Sequence, residues 1–212
     1  MTEVVVRVGD LARFCYRSGD IDHRFTASPT GVEGTRGHQR VYRRRPPSYQ
    51  SEYALEYRHR AGQRTLVLRG RADGYDPEQG LLEEIKTCRI PFTRIPRALS
   101  QWHLAQARLY AGMLVQQTDL ESVTVCLTWF NIDSGEEQSL TQEYNRAELK
   151  LFLEASLQRF GDWLETLSGN REQRDHSARQ LPFPHGRFRT GQRDVAERVY
   201  RCLARGGHLL LE

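Results

Sequence analysis

GRADGYDPEQGLLEEIKT, residues 70–87, decides how this chain is read. Arg64–Ala72 is rich in Leu and Val, and Leu81–Arg89 is an apolar run interrupted by Glu83, Glu84 and Lys86, so both read as strands. YDPEQG between them has the Asp-Pro and Gly of a turn, which makes the two strands neighbours. Residues i and i+2 of a strand project to one face. Glu84 and Lys86 therefore share a face, Glu83 points the other way, and Asp73 at the end of the preceding strand can converge on the Glu–Lys pair. Lysine is scarce here: of 31 Lys and Arg residues, only Lys86 and Lys150 are lysines. A compact ammonium with an adjustable pKa serves chemistry that a guanidinium cannot. Two carboxylates suit a hard divalent cation such as Mg²⁺, and a lysine beside them can contact a phosphate or help deprotonate an activated water. The competing reading is an exposed strand face whose Glu–Lys pair contributes little. Leu81, Leu82 and Ile85 argue instead for a mostly buried strand, where idle charges are costly. Glu83 is the acid expected to be dispensable.

Outward from this stretch the pattern extends in both directions. Val4–Val8 is a β-branched run, and Leu11, Phe14 and Cys15 follow at helical spacing. Residues 21–37 read as irregular, with ASPTG as a turn or helix start. A short helix is expected over Val32–Tyr42, stopped by RRRPP, and Tyr49–Arg58 alternates as a strand does. Ile95–Gln117 is the longest helical pattern, with Leu99, Trp102, Leu109 and Met113 on its apolar side. Ser122–Ile132 reads as a strand, and Asn145–Leu167 as a long amphipathic helix capped by Asn145. The order helix, three strands, helix, strand, helix predicts an α/β domain: a central mixed β-sheet flanked by helices, its meander joined by a strand reached through a helical crossover. SGNREQRDHSARQ, 168–180, is polar and apolar-poor, which predicts a domain over 1–168 and a linker over 169–182. Residues 183–212 are too few for a core of their own and read as the start of something larger.

Composition narrows the class. A hydrophobic content of 38% with an ordinary charged fraction of 27% argues for a folded globule. No apolar run is long enough to cross a bilayer, and MTEVVVRVGD lacks the order of a secretory signal. A soluble cytoplasmic protein with no membrane partner is expected. Cys15, Cys88, Cys126 and Cys202 form no CxxC pair, so metal-knuckle spacing is not visible and reduced thiols are expected. The net charge of +4 supports nucleic-acid binding only weakly.

Taken in order, GRADG, EEIKT and QARLY resemble the PD-(D/E)XK nuclease superfamily, in its RecB-like branch. The matching residues are G-x-x-D at Gly70–Asp73, acidic-x-Lys at Glu84–Lys86 and Q-x-x-x-Y at Gln106–Tyr110, with His38 upstream in VEGTRGHQRVYRRR. The resemblance implies a restriction-endonuclease-like core. It implies one or two Mg²⁺ or Mn²⁺ ions bound by His38, Asp73, Glu84 and the carbonyl of Ile85, with Lys86 as the catalytic lysine. It also implies that Gln106 and Tyr110 support the site and meet a nucleic-acid strand; His103, three before Gln106, shares their face. Arg40, Arg43, Arg44, Arg45, Arg89 and Arg94 are available for phosphates, although Arg43–Arg45 reads equally as a solvated cluster. Several RecB-like nucleases hold an iron–sulfur cluster through one upstream cysteine and three near the domain's end. Cys15 has no such trio behind it, so no cluster is expected in this segment.

FPHGRFRTGQRDVAERVYRCLARGGHLLLE resembles the Q-motif entry of DinG/XPD-like superfamily 2 helicases. That resemblance implies that Gln192, with Arg189 nearby, would contact a nucleotide in a full helicase, and that a helicase domain lies in cis. HLLLE would normally lead into a Gly-rich loop ending Gly-Lys-Thr, which does not follow, so no ATP hydrolysis is expected of this segment. The expected activity is divalent-metal-dependent DNA hydrolysis on single-stranded or flap DNA, in DNA repair or processing. The alternatives are a non-catalytic nucleic-acid-binding module that loads a helicase, and an interaction platform with a structural ion.

Overall fold

The computed structural model describes residues 2–19, 28–182 and 186–210, and the chain divides into two units, Met1–Thr166 and Leu167–Glu212. In the first unit the elements run β1 (Thr2–Arg7), α1 (Val8–Tyr16), α2 (Gly31–Tyr42), β2 (Gln50–Ala61), β3 (Arg64–Asp76), β4 (Leu81–Cys88), α3 (Arg97–Val115), β5 (Ser122–Asn131) and β6 (Glu137–Asn145), then α4 (Arg146–Gln180). A single 3-10 turn, Phe92–Arg94, precedes α3. The six strands make one mixed sheet, ordered β1-β3-β4-β5-β6 with β2 also on β3. The architecture is a mixed α/β sheet flanked by helices, as the pattern of elements predicts.

The sheet's defining feature is a fork. β2 lies antiparallel along one side of β3 from Arg64 to Tyr75. On the other side, β1 runs parallel to Arg64–Arg69, and β4 pairs antiparallel only with Gly74–Asp76. Residues 70–73 of β3 thus have no strand on that side. Beyond Glu83, β4 leaves β3 and pairs with β5 alone, in parallel, as far as Cys88. β3 and β4 diverge at the very residues that carry the motif.

Two layers clamp the sheet. Leu11, Leu66, Leu68, Leu109, Met113 and Leu153 are buried where α1, α3 and α4 meet one face. Across the sheet, Val41 of α2 packs on Ile85 and Phe130. α2 opens with a capping box between Thr30 and Glu33 and ends at Tyr42, before the Arg-Arg-Arg-Pro-Pro run. The Asn145 cap is reciprocal: Asn145 Oδ1 accepts from Glu148 N at 2.9 Å, and Glu148 Oε2 accepts from Asn145 N at 2.9 Å.

Three expectations differ from the structure. β6 is an extra strand, largely exposed on an edge, and EQSLTQEYN carries no hydrophobic alternation to reveal it. Residues 168–180, read as a linker, are helical to Gln180; Arg, Gln, Glu and Ala are good helix formers, and a polar helix needs no core. In the second unit α5 (Gln192–Arg205) is the helix of the tail, but residues 206–210 form no strand, having no partner to complete a ladder. The irregular reading of 21–27, and residues 183–185 and 211–212 of the tail, lie outside the described residues. None of the four cysteines is in a disulfide, and Cys88 and Cys126 are buried. Among the described residues no helix is long and apolar enough to cross a membrane.

Candidate functional site

The fork supplies a backbone donor, and Asp73 uses it. With no strand beside residue 73, the Asp73 carboxylate accepts the Ile85 N–H at 2.6 Å and stands in for the missing ladder acceptor. On the far side of β3, the ladder with β2 skips the Glu52–Asp73 step, and Glu52 has φ of +55°. A non-glycine residue in that region is strained, and such strain concentrates at functional sites. Glu84 and Lys86 project to one face of β4, where Lys86 Nζ donates to Glu84 Oε1 at 2.5 Å.

Two glycines set the helices around this pair. A Cβ on Gly37 would sit 2.5 Å from Thr87 Cγ2, so only glycine lets α2 lie this close to β4. That approach brings His38 Nδ1 to 3.3 Å from Asp73 Oδ1. A Cβ on Gly70 would sit 2.5 Å from the Tyr110 hydroxyl, so the first glycine of G-x-x-D makes room for the tyrosine of Q-x-x-x-Y. The Tyr110 hydroxyl in turn faces the Gln106 side chain and the Arg71 backbone, which counter the rise that burial imposes on it.

The charges compete. Burial raises the Glu84 carboxyl, and although Lys86 pulls it down, Asp73 adds to the rise, leaving it at about 7. Burial alone would lower the Lys86 ammonium, but Glu84 and Asp73 outweigh it and push the group up. His38 follows the same balance: burial opposes its charge, and the hydrogen bond and charge of Asp73 prevail, so it is raised. Burial, with Lys86 adding to it, lowers His103 to about 3, so this imidazole is neutral at ordinary pH. Burial raises the Tyr110 hydroxyl, and Glu84 and Asp73 raise it further.

His38, Asp73, Glu84, Ile85, Lys86, Gln106 and Tyr110 are thus gathered at one place. Most of the arginines expected at phosphates are not free. Arg44 is paired with Glu137 at 2.7 Å, and Arg89 with Glu33 at 2.5 Å and also with Asp133. Arg45 grips Glu83 through Nε and Nη2 at 2.8 and 2.6 Å, and Arg40 lies over the Phe130 ring. Arg43 and Arg94 are exposed with no ion pair among the described residues. In the second unit, Gln192 Oε1 accepts the Arg189 N–H at 3.1 Å.

Glu83 does face away from Lys86, but it is not a spare acid. It is 1% exposed and accepts from Arg45, Tyr49 and Thr128. An unpaired acid on the buried face of a strand is untenable, so the chain surrounds it with donors. Sequence reasoning also missed the cleft beside Lys86, whose wall includes Arg7, Arg13, Arg71 and Trp102. Arg71 stood inside GRADG, and Trp102 read as a core position; nothing in the sequence separates Arg7 and Arg13 from the chain's other arginines.

Asp73, Glu84 and His38 are the donors that could hold a cation. Among the described residues no three His, Cys, Asp or Glu side chains are gathered as a metal cluster, since His38 is turned to Asp73 and Glu84 to Lys86. The donor chemistry nonetheless fits a hard ion. Two carboxylates and an imidazole share the site, and burial raises the Glu84 carboxyl above the ordinary carboxylate range.

No protein-family model matches the chain, and no curated protein matches it. Solved structures do. SSO0001 is 16% identical over 72% of this chain and 75% of its own, with a TM-score of 0.47. A phage-related exonuclease from Haemophilus somnus 129PT is 13% identical over 76% of this chain and 82% of its own, with a TM-score of 0.36.

Proposed function

We propose that the first unit is a divalent-metal-dependent nuclease domain that hydrolyses phosphodiester bonds in DNA. The observation that carries this reading is the fork itself, where Asp73 is held on the N–H of Ile85, the residue between Glu84 and the scarce Lys86, and burial raises the Glu84 carboxyl. Strongly perturbed groups with named charge partners in a cleft mark reactive sites. Mg²⁺ or Mn²⁺ held by Asp73, Glu84, His38 and the Ile85 carbonyl would supply the positive charge that binds a phosphate oxygen and acidifies a water.

The chain's own groups divide the remaining work. Lys86, held beside Glu84, offsets charge developing on the phosphate or assists removal of a proton from the attacking water. Asp73, fixed by the Ile85 N–H, holds its carboxylate in place without needing to reorganise. Tyr110 and Gln106 line the cleft beside Lys86 and orient the strand. Single-stranded or flap DNA is the preferred substrate, and repair or processing beside a helicase in cis is the setting that the resemblance of residues 183–212 suggests.

A second reading, a non-catalytic nucleic-acid-binding module, is favoured by one fact: the possible ligands are paired with His38 and Lys86 instead of converging. Labelled oligonucleotide incubated with Mn²⁺, Mg²⁺ or chelator decides between them. Cleavage that needs the metal and is lost in Asp73→Ala and Lys86→Ala is the expected result. Cleavage surviving either substitution would overturn the assignment, and binding with no cleavage by the wild type would support the module.

A further inference from the structure

Beside Lys86 the fork opens into a cleft of about 850 Å³, walled by the junction of β1 with α1, by the middle of β3 and by the first half of α3. Its chemistry is uneven. Arg7, Arg13 and Arg71 are exposed on this wall and make no ion pair among the described residues. Arg58, Arg69, Arg44, Arg45 and Arg89 each have a carboxylate. Two acids also line the cleft: Glu56 is already held by Arg58 and Arg69, and Asp10 leaves the balance positive.

The aromatic part is ordered to match. Trp102 and His103 stack with centroids 4.7 Å apart at 24°, and the Arg13 guanidinium lies 5.5 Å over the Trp102 ring. A ligand that is planar, and linked to negative charge at several points, suits these walls.

We propose that this cleft binds unpaired nucleotides next to the phosphate presented to Lys86, a base joining the stack at its Arg13 end while Arg7 and Arg71 meet phosphates. The proposal deepens the nucleic-acid reading of the site and rests on it. A planar guanidinium stacks on a base as it does on indole, so Arg13 extends the Trp102–His103 stack. Aromatic platforms in positive grooves are how proteins hold single strands without reading their sequence. The volume lies within the roughly 300–1,000 Å³ of small-molecule pockets, room for one or two nucleotides. In a duplex the base faces are covered by their neighbours, so the platform selects a strand already opened.

The test uses the full chain in chelator, where nothing is cut, with fluorescein-labelled oligodeoxythymidine and a hairpin duplex as probes and anisotropy as the readout. The single strand should bind more tightly than the hairpin. Trp102→Ala should weaken it about tenfold, with Trp102→Phe recovering most of the loss. Arg7→Ala and Arg71→Ala should each lower the slope of log affinity on log salt by about 0.7, and Lys150→Ala, on the exposed face of α4, should not. Arg71 is exposed, so its variant tests the cleft even if Trp102→Ala fails to fold. Unchanged affinity and slope in Arg7→Ala and Arg71→Ala, or equal binding of the hairpin, overturns the proposal. A protein that cuts with Mn²⁺ but ignores these substitutions keeps the nuclease reading and loses the cleft. One that binds through the cleft and never cuts loses the nuclease reading and keeps the cleft.

Discussion

Glu84 is 1% exposed, yet the proposed cation site asks its carboxyl to carry a charge beside Asp73. Its folded pKa of about 7 lies above the 4.5 of an unperturbed glutamate. Between those values the folded chain keeps a proton that the unfolded chain has released, so stability falls as pH rises through this window. The loss should reach at most about 3 kcal/mol. Urea denaturation at pH 5 and pH 8 should show a steeper decline for the wild type than for Glu84→Gln, and Mn²⁺ at pH 8 should restore part of it. Parallel declines, or no effect of the ion, would count against both the buried charge and the cation site. Glu83, one residue earlier, has the opposite role. Its removal strands the Arg45 charge and leaves the Tyr49 and Thr128 hydroxyls without their acceptor. Glu83→Ala should cost about 3–5 kcal/mol in chemical denaturation; a loss under about 1 kcal/mol would mean that Arg45 finds another partner.

The helix α2 reaches the site only because its backbone can press on β4 at Gly37. An alanine there meets Thr87 Cγ2 at 2.5 Å and Phe130 Cδ1 at 3.3 Å. Gly37→Ala should therefore cost about 1–3 kcal/mol and draw His38 away from Asp73. Thr87→Ser removes the nearer atom, so the double variant should regain much of the loss, with a coupling above about 0.5 kcal/mol in a double-mutant cycle. Additive costs would show that the contact at Thr87 is not what limits α2. This contact also marks where the sequence stops being legible. Alternation and turn chemistry suffice for β2, β3 and β4, and strand periodicity places Glu84 and Lys86 on one face, because each depends on neighbours a few residues away. The fork is different: whether β4 stays with β3 or leaves it is decided by the pairing of β4 with β5, some forty residues on. The ion pairs of Arg44, Arg45 and Arg89 likewise involve acids in β4, in β6 or at residue 133, which no local pattern connects to an arginine run.

At the scale of the whole chain, burial is concentrated in the first unit. Every buried hydrophobic cluster, with the residues packed against it, is drawn from positions up to Leu164, and α5 buries no residue. Residues 171–180 are exposed throughout, so α4 past Thr166 adds helix without adding core. A chain ended after Gln180 should therefore melt within about 2 °C of the full chain, since a domain of this size shifts by roughly 2–4 °C per kcal/mol. It should also keep its binding of oligodeoxythymidine, because every wall of the cleft belongs to the first unit. The separate segment Leu167–Glu212 is below the length at which a chain usually folds alone, and α5, at 14 residues, is marginal as an isolated helix. Circular dichroism of that peptide should show little helix in water. A drop of more than about 5 °C on truncation, or a cooperative melt of the peptide alone, would mean that the second unit holds stability which its own burial does not reveal.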